Sequence, residues 1–222
     1  SAPVRVLFYS HLYALWDCFH TVVLELCRRP QYEVSVILQQ SVLVDPYKGG
    51  LVPLSHHPLE LLKERGIPVI DESQYNVHRE KPDVLFLQDP YTNTRPKKVH
   101  SSVLCLQGTR TAVIPYCTEI IGGKRFQDLY FRSYKCQHVW RIFTASAMSS
   151  RGYKNENDAP AWSVPVCGNP EYDRLFGPHP EPLPKYEAIK AAAAGRKIVL
   201  WTPHFSLKDW STWVSFGPAL IE

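Results

Sequence analysis

No apolar run in the 222-residue sequence approaches the ~20 residues that a bilayer-spanning helix needs. A transmembrane anchor is therefore not expected. The first residues lead straight into a strand pattern, without the basic segment and cleavage site of a secretory leader. No C-x-x-C pair occurs. The cysteines (Cys18, Cys27, Cys105, Cys117, Cys136 and Cys167) are scattered without zinc-ligand spacing. In a chain this rich in core residues they read as reduced, mostly buried thiols of a cytosolic protein. Neither G-x-G-x-x-G nor G-x-x-x-x-G-K-[ST] is present, which argues against an ordinary dinucleotide or P-loop site. No RNA-binding motif and no interleaved aromatic and basic stretch is visible, so nucleic acid is not expected as a partner. There is no internal repeat, and the only biased tract is a proline-rich one.

The composition supports a folded chain. Hydrophobic residues make up 45% and charged residues 21%, enough for a packed core. The net charge of +4 suits an anionic ligand or an acidic membrane surface, although many ordinary enzymes carry as much.

Periodicity points to alternating strands and helices. Val4 to Ser10 reads as a buried strand. Trp16, Phe19, Val23 and Leu26 have helical spacing up to Arg28, and Pro30 stops that helix. Tyr32 to Leu38 is a second strand, so the opening is a βαβ unit and the start of a parallel sheet. Residues 42–53, with Pro46, Gly49, Gly50 and Pro53, read as a loop. A helix from Pro58 to Arg65 ends at Gly66, and Ile67 to Ile70 is a short strand. Val84 to Gln88 is an unbroken apolar strand of the parallel type. Val103 to Leu106, Ala112 to Tyr116, Val139 to Phe143 and Trp162 to Val166 are further strand candidates. Arg125 to Cys136 and Ser146 to Tyr153 are helix candidates, and Asn155 to Asp158 reads as a turn.

This pattern implies an α/β fold with a Rossmann-like parallel sheet over residues 1–176. Residues 177–195 form a proline-rich linker and a short Ala-rich helix from Tyr186 to Ala194. Residues 196–222, with an apolar strand from Lys197, read as the truncated start of a second Rossmann-like domain.

In open parallel sheets ligands bind beyond the carboxyl ends of the strands, where helix N-termini gather. Four such ends carry polar groups here: Ser10-His11, Gln88-Asp89, Thr144-Ala145-Ser146 and Thr202-Pro203-His204. His11 can serve as general base toward an acceptor hydroxyl, or be a loop histidine. His204 can donate to a diphosphate or protonate a leaving phosphate oxygen, with Thr202 and Ser206 beside it as phosphate donors; otherwise it is a turn residue packed on Trp201 or Trp210. Asp89 can orient a histidine or bind a sugar or glycerol hydroxyl, or simply form an Asx turn before Pro90. Gly168, Asn169 and Asp173 lie in a Gly-Asn-Pro-Glu-Tyr-Asp turn that is either an acceptor element or a plain strand-to-helix turn. Adjacent His56 and His57 would point about 100° apart on a helix, so no metal site is expected. Arg95, Lys97 and Lys98 form a basic cluster, read as a solvated face or a contact for anionic lipid or polymer.

Gly168-x-Pro170-x-x-Asp173, followed by a strand ending Trp201-Thr202-Pro203-His204, resembles the CDP-glycerol glycerophosphotransferase family, the teichoic-acid and capsule polymerases. Ile114-Pro115-Tyr116 and the strand near Trp140 are also similar to its amino-terminal half. The resemblance covers residues 100–222, and 1–100 more loosely. It implies a GT-B fold, in which two Rossmann-like domains face across a cleft and the second holds most of the donor. It also implies transfer of a glycerol-phosphate or sugar-type group from a CDP-linked donor to a polymer or lipid-linked hydroxyl at the inner face of the plasma membrane, without metal or cofactor. Gln107, in Leu106-Gln107-Gly108-Thr109, stands where the polymerases' Trp-His-Gly-Thr motif has a catalytic histidine. With most donor residues expected beyond Glu222, the chain alone is expected to be inactive. A second resemblance is to UDP-N-acetylglucosamine 2-epimerase, another GT-B relative with a Gly-Asn turn before a strand and a His-Arg, although Phe205 replaces that arginine. The third reading is a non-catalytic ligand-binding or docking domain.

Overall fold

Val4–Ser10 forms strand β1, and its alternation decides how the rest is assembled: Leu7 and Tyr9 point to one face, Val6 and Phe8 to the other, and all four are buried. The computed structural model describes residues 2–11, 15–39, 42–44, 51–53, 59–88, 95–117, 131–132, 136, 138–157, 160–177, 184–200 and 219. After β1 come helix α1 (Asp17–Cys27), strand β2 (Tyr32–Leu38), the short strands β3 (Val42–Val44) and β4 (Leu51–Pro53), helix α2 (Leu59–Glu64) and strand β5 (Val69–Asp71). Then follow α3 (Val77–Glu80), β6 (Val84–Leu87), α4 (Ser101–Leu106), β7 (Arg110–Val113), β8 (Arg141–Ile142), α5 (Ala147–Asn157), α6 (Glu171–Phe176) and α7 (Pro184–Ala193).

Two compact units result: Ser1–Ser41 with Leu54–Pro180, and Val42–Pro53 with Glu181–Glu222. The first holds a six-stranded parallel sheet in the order β5-β2-β1-β6-β7-β8. Counting only these strands along the chain, the order is 3-2-1-4-5-6, that of the doubly wound Rossmann-type sheet. β1 is central, with Val6 opposite Val34 on one side and Val84 on the other. A single parallel bridge, Thr144 to Val166, extends the far edge.

Each face has its own core. On one, α1 and α2 bring Trp16, Cys18, Phe19, Val23 and Leu62 against Val6, Phe8, Val36, Phe86 and Ala112. Aromatic rings run across this face: Phe8 stacks on Phe86 with centroids 4.7 Å apart, and Phe86 on Phe143 at 6.0 Å, while Phe19 meets Phe8 edge-on at 5.1 Å. On the other, Val77 of α3, Leu104 of α4 and Tyr153 of α5 cover Leu7, Tyr9, Ile37, Leu85, Leu87 and Val113. α3 starts at Asn76, whose side-chain oxygen accepts from the amides of His78 (3.0 Å) and Arg79 (3.2 Å), and ends at Lys81 in the left-handed region (φ 44°).

The structure corrects several expectations. Residues 42–53 are not all loop: β3 and β4 pair antiparallel, Val42 opposite Pro53 and Val44 opposite Leu51. Pro53 is tolerated because it sits at a strand end. Val103 to Leu106 belongs to helix α4. A run of four apolar residues fits either period, and here only Leu104 is buried while Leu106 is exposed. Asn155 and Asn157 continue helix α5 instead of forming a turn. Residues 161–163 are a 3-10 turn, leaving only the Val166 bridge of the strand expected there. None of the cysteines is joined in a disulfide, and only Cys18 and Cys136 are buried; Cys27, Cys105 and Cys167 are exposed.

The second unit contains the β3–β4 pair and α7. The strand expected from Lys197 is not formed over residues 196–200, and Val199 and Leu200 are 89% and 83% exposed. A parallel strand is stable only between neighbours on both faces, and no described strand pairs with this run. Residues 201–218 and the helix candidate Arg125 to Cys136, apart from residues 131, 132 and 136, lie outside the described residues.

Candidate functional site

In the strand order 3-2-1-4-5-6 the chain leaves β1 and β6 in opposite directions. Their carboxyl ends therefore border a crevice, the switch point of the sheet. β1 delivers Ser10 and His11 there, both buried. β6 delivers Gln88, which is 0% exposed. Gln88 Nε2 donates to the Leu15 carbonyl (2.9 Å), so α1's entry is tied to the end of β6. Its Oε1 is buried without a hydrogen-bond partner among the described residues. An unmet buried acceptor costs about 1–3 kcal/mol, and a donor supplied by a ligand would offset that.

Next along the same edge is a polar network that no sequence window reveals. Tyr9 Oη donates to Glu72 Oε1 (2.9 Å) and lies 3.3 Å from Gln39 Oε1. Lys98 Nζ is 3.5 Å from Glu72. Burial, then the adjacent Glu72 carboxylate, hold the Tyr9 phenol well above its usual range, so it stays a neutral donor. The network joins the ends of β1, β2 and β5. The basic cluster read as a solvated face or a contact for anionic lipid or polymer is divided: Arg95 is buried, and Lys98 pairs with Glu72.

Gly168, Asn169 and Asp173 are brought together. Gly168 adopts φ +85°, which only glycine takes without strain, and Asn169 is buried with its Oδ1 accepting from the Glu171 amide (3.1 Å). Asp173 Oδ2 accepts from Thr21 Oγ1 (2.8 Å), and Arg174 pairs with Asp17, so α6 is clamped to α1 at two points. Together with Val22, Leu26, Phe86, Ile114, Phe143, Cys167, Pro170 and Tyr172 these residues line a cavity of about 510 Å³ on the α1 face. His11 does not line it. The cavity wall is mostly apolar, whereas Ser10, His11 and Gln88 stand at the switch point. Gly168→Ala is expected to cost about 1 kcal/mol from backbone strain, read as a lower urea midpoint with an unchanged slope.

Gln107 lies at the end of α4, before β7. That is the amino edge of the sheet, opposite His11 and Gln88. It accepts from His78 Nδ1 (2.6 Å), so it does not occupy a catalytic position at the crevice. Asp89, Thr202, His204 and Ser206, and also His56 and His57, lie outside the described residues. Among the described residues no helix is long and apolar enough to cross a membrane.

No family model matches the sequence, and no curated protein matches it. Solved structures do. A UDP-N-acetylglucosamine 2-epimerase superposes with a TM-score of 0.56 at 14% identity, covering 84% of this chain and 55% of that one. A Listeria monocytogenes protein of the same description gives 0.55 at 13%, covering 85% and 51%. The Neisseria meningitidis UDP-GlcNAc 2-epimerase bound to UDP-GlcNAc gives 0.53 at 15%, covering 78% and 48%. The chain thus spans about half the length of these structures. The likeness establishes the fold: α/β, Rossmann-like, of the GT-B-like kind.

Proposed function

We propose that the chain is part of a GT-B-like enzyme acting on a nucleotide-activated ligand, with a UDP-linked sugar of the UDP-GlcNAc type as first candidate and epimerisation as its reaction. The observation that carries this reading is the switch point of the sheet: His11 and Gln88, whose Oε1 is buried with no partner among the described residues, stand at the carboxyl ends of β1 and β6, where open parallel sheets bind ligands. The solved structures of like fold are epimerases, one of them holding UDP-GlcNAc, which supports the choice of ligand. In this reading Gln88 accepts from a ligand hydroxyl and His11 moves a proton at the same edge. Asp89, Thr202, His204 and Ser206 remain proposed partners for the ligand's hydroxyl and diphosphate groups.

A second reading, transfer of a glycerol-phosphate from a CDP-linked donor, is favoured by the turn at Gly168, Pro170 and Asp173. Its φ of +85° and its helix start after Pro170 fit the residue pattern of that family. Saturation-transfer NMR of the chain with UDP-GlcNAc and with CDP-glycerol separates the two. Weak binding of UDP-GlcNAc, lost in His11→Ala and Gln88→Leu, is the expected result. Preference for CDP-glycerol would favour the second reading, and binding of neither would reject both.

A further inference from the structure

At the amino edge of the sheet, opposite the crevice, four side chains from three separate segments form a stack. Arg110 Cζ lies 5.6 Å from the Trp140 ring centroid, and Arg141 Cζ lies 4.9 Å from Trp140 and 5.0 Å from Trp162. Guanidinium and indole thus alternate, each pair within cation–π range. The backbone places them there: the Arg110 amide donates to the Asp83 carbonyl (3.1 Å) and the Trp140 amide to the Thr111 carbonyl (2.7 Å), aligning the starts of β6, β7 and β8.

Three features suggest what this edge meets. First, neither Arg110 nor Arg141 has a carboxylate partner among the described residues. The nearby acids are already engaged, Asp83 by Arg5 (3.9 Å) and Glu80 by Arg79 (2.7 Å). Exposed Lys81, just before β6, adds a third cation with no carboxylate partner among the described residues. Second, large apolar side chains stand exposed on the segments that carry these cations: Trp162, over which Arg141 lies, is 58% exposed, and Leu106, four residues before Arg110 in the chain, is 90% exposed. Third, Trp140 has a guanidinium from each of two arginines, and Arg141 also lies over Trp162. Nucleobases would have to displace those guanidiniums to stack on Trp140, and Leu106 offers no π face. Cations that attract anionic headgroups, with Trp and Leu able to enter the headgroup layer, are instead the chemistry of a lipid interface.

We propose that this amino edge, centred on Arg110, Trp140, Arg141 and Trp162, docks on an anionic lipid bilayer surface. The switch-point crevice then opens away from the lipid, into water. The inference stands apart from the enzymatic reading, because it uses none of the crevice residues.

Co-sedimentation of the chain with phosphatidylcholine vesicles, with and without phosphatidylglycerol, tests it. The unaltered chain is expected to bind only the anionic vesicles, and to release them at high salt. The Arg110→Gln/Arg141→Gln variant should partition on the order of 30-fold less. Leu106→Ser should bind about tenfold less. Because the Leu106 side chain is 90% exposed, its replacement is neutral to folding and decides the matter alone if the double variant misfolds. Equal binding to neutral vesicles, no binding to either, wild-type binding by Leu106→Ser, or stronger binding to single-stranded polyuridylate would each overturn the proposal.

Discussion

Phe8→Ala is expected to lower the unfolding free energy of the sheet-bearing unit by about 3–5 kcal/mol. Phe8 is wholly buried at the centre of the central strand, against Phe86 at 4.7 Å and Phe19 at 5.1 Å. Alanine removes both ring contacts and leaves a void between two sheet strands and α1. Those strands are held in register by neighbours on both sides, so collapse into the void is limited. Against a domain stability of about 5–15 kcal/mol, such a loss is a large share of the total. Phe8→Leu keeps much of the apolar volume and should lose clearly less. Urea denaturation followed by far-UV circular dichroism reads both variants. A loss below about 1 kcal/mol for Phe8→Ala would show that the aromatic row does not support the sheet.

Gly152→Ala is expected to destabilise by about 1–3 kcal/mol, opposite in sign to the gain of about 1 kcal/mol that alanine normally brings inside a helix. Gly152 lies within α5, and a methyl group there would meet the Phe131 ring at 2.5 Å. That ring is buried and packs edge-on against Tyr153 with centroids 4.9 Å apart, so it has little room to retreat. Gly152→Ala combined with Phe131→Leu should recover part of the loss, because the smaller side chain yields space. Thermal melts of the two variants, compared with Phe131→Leu alone, supply the coupling. A melting point for Gly152→Ala at or above that of the unaltered chain would contradict this packing.

The strands of the central βαβ unit were legible because two signals agreed there. β1 and β2 match the expected spans, and α1 falls within its own, since strand-type runs and helical spacing were separated by Pro30. Agreement was lost where a run was short. Val103 to Leu106 fits either period, and only its packing of Leu104 onto β7's face decides for a helix. The site was legible in part. His11 and Gln88 fall at strand ends by simple counting, but Gln88's bond to Leu15 depends on tertiary geometry. The sheet edge that Gln107 reaches was not legible, because a four-residue motif carries no sign of it. The guanidinium–indole stack was invisible for the same reason: Arg110, Trp140 and Trp162 are far apart in sequence, and only the alignment of β7 and β8 brings them together.

The central place of β1 has a further consequence, for synthesis on the ribosome. Its partner β2 follows within one helix, but the partner on its other side, β6, arrives roughly 80 residues later, as the pairing of Val6 with Val84 requires. At ordinary elongation rates this is a delay of about 4–16 s. During that interval the flank of β1 meant for β6 is an open hydrogen-bonding edge beside Phe8 and Tyr9. A chaperone that holds extended apolar segments would find its substrate there, and slow codons between β2 and β6 would lengthen its opportunity.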